Sequence, residues 1–201
     1  MSSRVPFKRY AESLIRGKIL LFPTDTVAGI GCRFDSAESV SRLRELKGLR
    51  EESPIAVLIA SLDQLQSLGI RKNRLVMSLM EKFWPGGLTL ILSSEKEYPC
   101  GGSGNSLGLR MPDSDNLRKI IETAGLPLAA TSANLHGRPT PAGLKAVEKA
   151  IIRKVDLTLD FPVRSSGVAS TVVSFEAGEL EIVREGAISR REIQEAISEE
   201  I

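Results

Sequence analysis

Leu107-Gly108-Leu109-Arg110-Met111-Pro112-Asp113-Ser114-Asp115-Asn116-Leu117-Arg118-Lys119-Ile120-Ile121-Glu122-Thr123-Ala124-Gly125-Leu126-Pro127-Leu128-Ala129-Ala130 holds, in one run, the signals that decide the fold. Leu107, Leu109 and Met111 alternate with Gly108 and Arg110, the period of a half-buried strand with Arg110 on its polar face. Ser114 then stands where a helix N-cap belongs, Leu117, Ile120, Ile121 and Ala124 form a stripe of helical period, and Gly125 closes it. Leu128 to Ala130 resumes as a short buried strand. Strand, helix and strand in close succession point to an α/β domain.

The same alternation continues on both sides. Upstream, Lys18 to Phe22 reads as a buried strand stopped by Pro23. Asp35 with Glu38 three residues on predicts a capped helix with Ala37, Val40, Leu43 and Leu46 inward. Ile55 to Ala60 reads as a second continuous apolar strand, and Ser61 with Gln64 as the cap of a short helix. Leu75, Val76, Leu79, Met80 and Phe83 predict a helix ended by Trp84-Pro85-Gly86-Gly87, after which Leu88 to Leu92 is strand. Downstream, Thr140 and Pro141 sit at the cap and first position of a helix bearing Leu144, Val147 and Ile151. Ser170 to Phe175 and Leu180 to Arg184, joined by Glu176-Ala177-Gly178-Glu179, read as a hairpin. Ser189 with Glu192 caps a last helix. No internal repeat or long linker divides the chain, so the expected architecture is one α/β domain over 1–201 with a twisted mixed β-sheet flanked by helices. Ser93 to Ser106 is the longest irregular stretch. It reads as a flexible surface loop, because no Lys-Ser or Lys-Thr pair follows Gly101-Gly102-Ser103-Gly104 to make a phosphate cradle.

Composition narrows the chemistry. The 201 residues are 42% hydrophobic and 26% charged, with 27 basic against 25 acidic side chains and a formal net charge of +2. A chain of this length buries about 70% of the surface it exposes when unfolded, enough for a core without staples. Two cysteines, Cys32 and Cys100, and one histidine, His136, exclude a disulfide scaffold and a protein-only zinc site, and leave a single residue for histidine-based catalysis. Both cysteines read as structural and His136 as a loop residue. The apolar runs are strand-length, so no membrane span is expected, and no signal peptide follows the basic N-terminus. Two unpaired cysteines fit a reducing cytoplasm.

Three strand ends are rich in hydroxyls and amides: Phe22 to Val27, Ala130 to Asn134, and Ala169 to Val172. Any one alone is ordinary turn chemistry, since such side chains bond to nearby backbone. Three after buried strands, in an α/β sheet whose ligands gather at strand ends, favour a pocket for a polar substrate. Lys47 and Arg50 lie at the end of a helix, Arg110 on a strand and Arg184 at a strand terminus. Such cations suit phosphate or carboxylate, although Lys47 and Arg50 equally complement a helix C-terminus. No Walker loop, Rossmann glycine fingerprint or kinase signature is present.

Seven motifs, in order, carry a resemblance. Pro23-Thr24-Asp25-Thr26-Val27-Ala28-Gly29-Ile30-Gly31, Leu46-Lys47-Gly48-Leu49-Arg50 with Pro54, Trp84-Pro85-Gly86-Gly87-Leu88-Thr89 and Leu109-Arg110-Met111-Pro112-Asp113 come first. Thr131-Ser132-Ala133-Asn134 with Gly137-Arg138-Pro139, Ser170-Thr171-Val172-Val173 and Arg184-Glu185-Gly186-Ala187-Ile188 complete the series. From about residue 14 to 190 the chain resembles the YrdC/Sua5 family of threonylcarbamoyl-AMP synthases, and is similar to their short, TsaC-like form without an extra C-terminal domain. The resemblance implies a nucleotidyltransferase that joins L-threonine, bicarbonate and ATP into threonylcarbamoyl adenylate and pyrophosphate, the first step of tRNA threonylcarbamoyladenosine modification. It further implies Mg²⁺ with ATP, downstream tRNA threonylcarbamoyl transfer proteins as partners, and weak tRNA binding. By similarity, Thr24, Thr26, Arg110 and Ser170 hold threonine. Lys47, Arg50, Ala130, Ser132, Asn134, Thr140 and Arg184 meet ATP, Ala130 through backbone alone, and Lys47, Arg50, Ser132 and Asn134 carry catalysis. No protein side chain is assigned to metal.

Two positions depart from the family pattern. Its basic motif is Lys-x-Arg, whereas Leu49 stands two residues after Lys47 and the arginine follows at Arg50. On a continuing helix one extra residue turns the side chain by about 100°, so Arg50 substitutes only where the helix has ended or bends. The aromatic that follows Thr-Val in the family is Ala28 here, which predicts a smaller pocket wall. The alternatives are a non-catalytic RNA-binding module and a divergent paralogue forming a related carbamoyl adenylate from carbamoyl phosphate, as in hydrogenase maturation.

Overall fold

Asn73 is itself extended, with its side chain turned toward the helix that follows. Its Oδ1 accepts the Val76 N–H at 2.7 Å and opens the helix Arg74–Phe83. Loss of such a cap costs about 1 kcal/mol. Asn73→Ala is therefore expected to lower the unfolding free energy by that amount, seen by circular dichroism as a lower urea midpoint with an unchanged slope.

The computed structural model describes residues 5–176 and 179–198. In chain order its elements are α1 (Phe7–Ile15), β1 (Leu20–Phe22), β2 (Gly29–Arg33), α2 (Ala37–Lys47), β3 (Ala56–Leu58), α3 (Asp63–Ser67), α4 (Arg74–Phe83), β4 (Leu88–Ser93), β5 (Ser106–Arg110), α5 (Asp115–Ala124), β6 (Leu128–Ser132), α6 (Lys149–Ile152), β7 (Leu157–Thr158), β8 (Thr171–Glu176), β9 (Glu179–Arg184) and α7 (Arg190–Ser198). The strands form one mixed sheet in the order β7-β1-β2-β6-β3-β5-β4-β8-β9. Pairs β1–β7, β3–β5 and β4–β8 are parallel and the others antiparallel. This is a single α/β domain with a mixed sheet flanked by helices.

Alternation along the strands divides the core between the two faces. Leu20 and Phe22 join Tyr10 and Leu14 of α1 and Leu117, Ile120 and Ile121 of α5. Ile19, Leu21, Leu90, Leu107 and Leu109 belong to the larger cluster on the opposite face, with Leu43 of α2, Leu79 of α4 and Ile193 of α7. Ser114 accepts the Leu117 N–H and Gly125 closes α5 in the left-handed region at φ 68°, both as expected. The β8–β9 hairpin and the Ser189–Glu192 cap of α7 are likewise present; the turn residues Ala177 and Gly178 lie outside the described residues.

Several local expectations are overturned. The cap of α2 is Ser36, which accepts the Ser39 N–H at 3.2 Å, because both carboxylate oxygens of Asp35 are held by Arg33 at 2.7 and 2.9 Å. Ser61 does not cap α3; Gln64 Oε1 instead accepts the Ala60 N–H at 2.7 Å. The helix expected from Pro141 does not form. The Pro141 carbonyl accepts the Ala28 N–H at 3.0 Å, which ties that stretch to the sheet, and only a turn at Leu144–Ala146 and the short α6 follow. The stretch between β4 and β5 is anchored: Cys100 is fully buried and its carbonyl accepts from Ile55 N at 2.9 Å. Strand β2 is weakly signalled in the sequence because of its glycines. Gly31 is required there, since a Cβ would stand 2.3 Å from the Ala129 carbonyl oxygen.

Candidate active site

Over β3, β5, β4 and β8, the sheet face that carries Phe22, Leu58 and Ala130 borders a cavity of about 330 Å³. Its floor is made of small residues, Ala56, Gly108 and Ala130, with Ile91 and Val172 beside them. Strand β5 is thus not half-solvated as its alternation predicts. Its polar face is this floor, and Arg110 at its end is only 6% exposed. The three hydroxyl-rich loops meet here: Thr24 and Thr26, Ala130 to Ser132, and Ala169 and Ser170 all border the cavity, as do Thr140 and Arg184.

One end is built around Arg110. Its Nε donates to the Gly86 carbonyl at 2.9 Å, Nη1 to Thr26 Oγ1 at 2.8 Å and Nη2 to Asp25 Oδ1 at 2.6 Å. Three of a guanidinium's five N–H groups are therefore committed, and two remain for a ligand. Burial lowers the Arg110 pKa, opposed by the Asp25 carboxylate. Thr24 spends its proton on the Val27 carbonyl at 2.7 Å, so in its 3.0 Å contact with Thr26 the Thr26 hydroxyl is the donor. Thr24 braces the loop and Thr26 receives Arg110. Across the cavity, Ser170 Oγ lies 2.9 Å from Thr89 Oγ1, and Arg184 Nη2 donates to the Ser170 carbonyl at 2.8 Å. Burial lowers the Arg184 pKa as well.

The other cluster hangs on Lys47, the last residue of α2, with Gly48 as the left-handed C-cap at φ 73°. Lys47 Nζ donates to the Ser132 carbonyl at 2.6 Å, Ser132 Oγ at 3.0 Å and Asn134 Oδ1 at 2.6 Å. All three ammonium protons are in use. Ser132 Oγ in turn donates to Asn134 Oδ1 at 2.6 Å, and Asn134 Nδ2 donates to the carbonyls of Leu135 at 3.1 Å and Arg138 at 2.5 Å. No acidic side chain pairs with this ammonium in the described residues, and burial alone lowers its pKa to about 8.

Lys47 and Asn134 do not themselves border the cavity; Ser132, which both grip, does. Arg50 lies beyond the end of α2, so the helical rotation does not bear on it; it is exposed, and its side chain makes no hydrogen bond or ion pair among the described residues. Ala28 is fully buried in the core and is no part of the cavity wall, contrary to expectation. His136 is exposed, and its N–H donates to the Lys47 carbonyl at 3.0 Å. Burial pushes the thiols of Cys32 and Cys100 up to about 12, so both are inert as nucleophiles. Asp25 and Thr89 join the site although their motifs gave them no role of their own. Asp25 lies between two threonines singled out as binders, and Thr89 closes the Trp84 to Thr89 motif, whose Gly86 carbonyl also holds Arg110.

Hydroxyls, two guanidiniums and an ammonium at one remove, with no acid in the lining among the described residues, make a cavity for an anionic polar ligand. Among the described residues no His, Cys, Asp and Glu cluster could hold a metal ion, and no helix is long and apolar enough to cross a membrane.

Comparison with known proteins gives concordant matches. The Sua5/YciO/YrdC family model, described as "Telomere recombination", matches residues 12–186. The threonylcarbamoyl-AMP synthase of Pyrococcus abyssi is 34% identical over 194 residues, 95% of this chain and 57% of that protein. The Bacillus subtilis threonylcarbamoyl-AMP synthase is 33% identical over 201 residues, 98% of this chain and 58% of that protein. The crystal structure of P. abyssi Sua5 complexed with L-threonine superimposes with a TM-score of 0.89 at 31% identity, covering 96% of this chain and 57% of that one. The chain thus spans a little over half the length of these relatives.

Proposed function

The chain belongs to the Sua5/YciO/YrdC family, and from that premise we propose that it makes threonylcarbamoyl adenylate and pyrophosphate from L-threonine, bicarbonate and ATP. The observation that carries the reading is the single cavity bordered both by Arg110, with two N–H groups to spare, and by Ser132, the residue that Lys47 grips. A related structure with L-threonine bound supports threonine as the amino acid.

Under this reading the threonine carboxylate takes the two remaining N–H groups of Arg110, beside Thr26 and Ser170. The amine condenses with bicarbonate to a carbamate and water. A carbamate oxygen then attacks the α-phosphate of ATP, and pyrophosphate leaves. No protein nucleophile is needed; the rate comes from holding two substrates in line and from neutralising phosphate charge. Arg184 and the Lys47 cluster are proposed to meet the phosphates. A phosphate oxygen reaching Lys47 must replace one of its three acceptors, two of which belong to the cavity-lining Ser132. Asn134 holds Ser132 in place through Oδ1. Thr140 and the Ala130 backbone are proposed as further contacts to the nucleotide in the lining, and Arg50 becomes a phosphate contact only from its exposed position beyond the helix.

Mg²⁺ is expected to arrive on the ATP phosphates. With no carboxylate in the lining, the protein's residues do not fit a resident magnesium cage, and no step is routed through the ion. The product is a mixed anhydride of a carbamic and a phosphoric acid, which hydrolyses unless consumed, so tRNA threonylcarbamoyl transfer proteins in the cytoplasm are the proposed acceptors.

The test is pyrophosphate release in the presence of ATP and Mg²⁺, with threonine or bicarbonate left out in turn. Release is expected only with both present. Release that continues without threonine would sink the proposal, and salt-sensitive tRNA binding with no release would favour an RNA-binding module instead.

A further inference from the structure

Arg110 and Arg184 border the cavity, and among the described residues no aspartate or glutamate does. The two guanidiniums are near enough for the charge of Arg184 to lower the pKa of Arg110. Behind them, outside the lining, stands Asp25. Its Oδ1 takes Arg110 Nη2 at 2.6 Å, with side-chain exposures of 8% for the arginine and 11% for the aspartate. As long as no nucleotide phosphate engages Arg184, two cations against one carboxylate leave one unit of positive charge facing the cavity. That is the complement of a single carboxylate. Inorganic phosphate is a mixture of monoanion and dianion at neutral pH, and in so buried a place the second charge of the dianion would stand uncompensated.

We propose that Asp25 sets the specificity of this end of the cavity: it holds Arg110 in register and cancels one guanidinium charge, so that a monocarboxylate is accepted and a phosphate is turned away. The inference rests on the proposed function. That reading also gives the device its use, because the same cavity must admit the polyphosphate of ATP without letting it occupy the amino-acid end. Asp25 reaches the ligand only through Arg110 and is a positioning residue.

The experiment measures threonine binding by equilibrium dialysis at rising inorganic phosphate and constant ionic strength. With the unaltered protein, phosphate is expected to leave the threonine affinity within about twofold. In Asp25→Asn, which keeps an acceptor oxygen for Arg110 but loses the charge, phosphate is expected to compete with threonine about tenfold more strongly, the effect of one nearby charge. Asp25→Glu, which keeps the charge and displaces it, should weaken threonine binding while retaining phosphate exclusion. A role in packing alone would not produce a gain of phosphate competition. Strong competition by phosphate in the unaltered protein overturns the inference with no variant needed. So does a folded Asp25→Asn that remains indifferent to phosphate, with Asp25→Ser taking its place where the first does not fold. A protein that binds no threonine at all overturns the proposed function and this inference with it, whereas normal threonine binding with either of the other results overturns this inference alone.

Discussion

Replacing Lys47 by alanine is expected to lower the rate of pyrophosphate release by about 100-fold or more while the fold persists, the scale seen when one oriented donor is removed from a charged transition state. Two losses combine. The phosphates lose an ammonium, and Ser132 and Asn134 lose the cation that three hydrogen bonds gather them around. The charge also titrates within reach. Burial lowers the Lys47 pKa to about 8 from its ordinary 10.5. The apparent affinity for ATP should therefore weaken by about tenfold per pH unit above 8, while the affinity for threonine holds. Stability moves the other way: between about 8 and 10.5 the unfolded chain keeps a proton that the folded chain has shed, so this group makes folding more favourable as pH rises. Steady-state kinetics in both substrates, beside thermal unfolding over the same pH range, separates the two effects. A rate in Lys47→Ala within threefold of the unaltered protein would remove Lys47 from the machinery.

Arg110→Ala is the second large effect, and it strikes binding and stability together. The substitution strands Asp25 as a buried carboxylate without its partner, a defect worth about 3–5 kcal/mol. It also takes away the group proposed for the threonine carboxylate, so threonine binding should be lost to dialysis. The two consequences part in the double variant. Removing Asp25 as well takes away the stranded charge, so Arg110→Ala with Asp25→Ala should be more stable to urea than Arg110→Ala alone, yet still bind no threonine. A double variant less stable than either single would show that the pair contributes nothing through its charges.

How much of this was legible in the sequence depended on the length over which each signal acts. Helix α5 was readable because its cap, stripe and closing glycine are all local. The absent helix after Thr140 read equally well, but the Pro141 carbonyl is claimed by Ala28, more than a hundred residues away in the chain. Strand β2 was missed for the opposite reason: its glycines weaken strand propensity and answer only to the approach of Ala129 and Phe22. The three polar loops were found individually, and their convergence followed from strand order. The partners of Arg110 were not found. An aspartate between two threonines and a carbonyl in a Gly-Gly turn look like turn chemistry until the sheet brings them to one guanidinium.

The period-two pleat of the central strands has a consequence for how such a site changes over time. Leu88, Leu90, Leu107, Leu109, Val57 and Val173 pack into the core, while Thr89, Ile91, Gly108, Ala56 and Val172, their chain neighbours, line the cavity. Folding and ligand choice are thus written on interleaved residues of the same strands, like two texts on alternate lines. Drift in one set can enlarge, shrink or recharge the cavity while the other set keeps the domain standing. A scaffold divided in this way can exchange one small acid for another without first having to survive as a weaker fold.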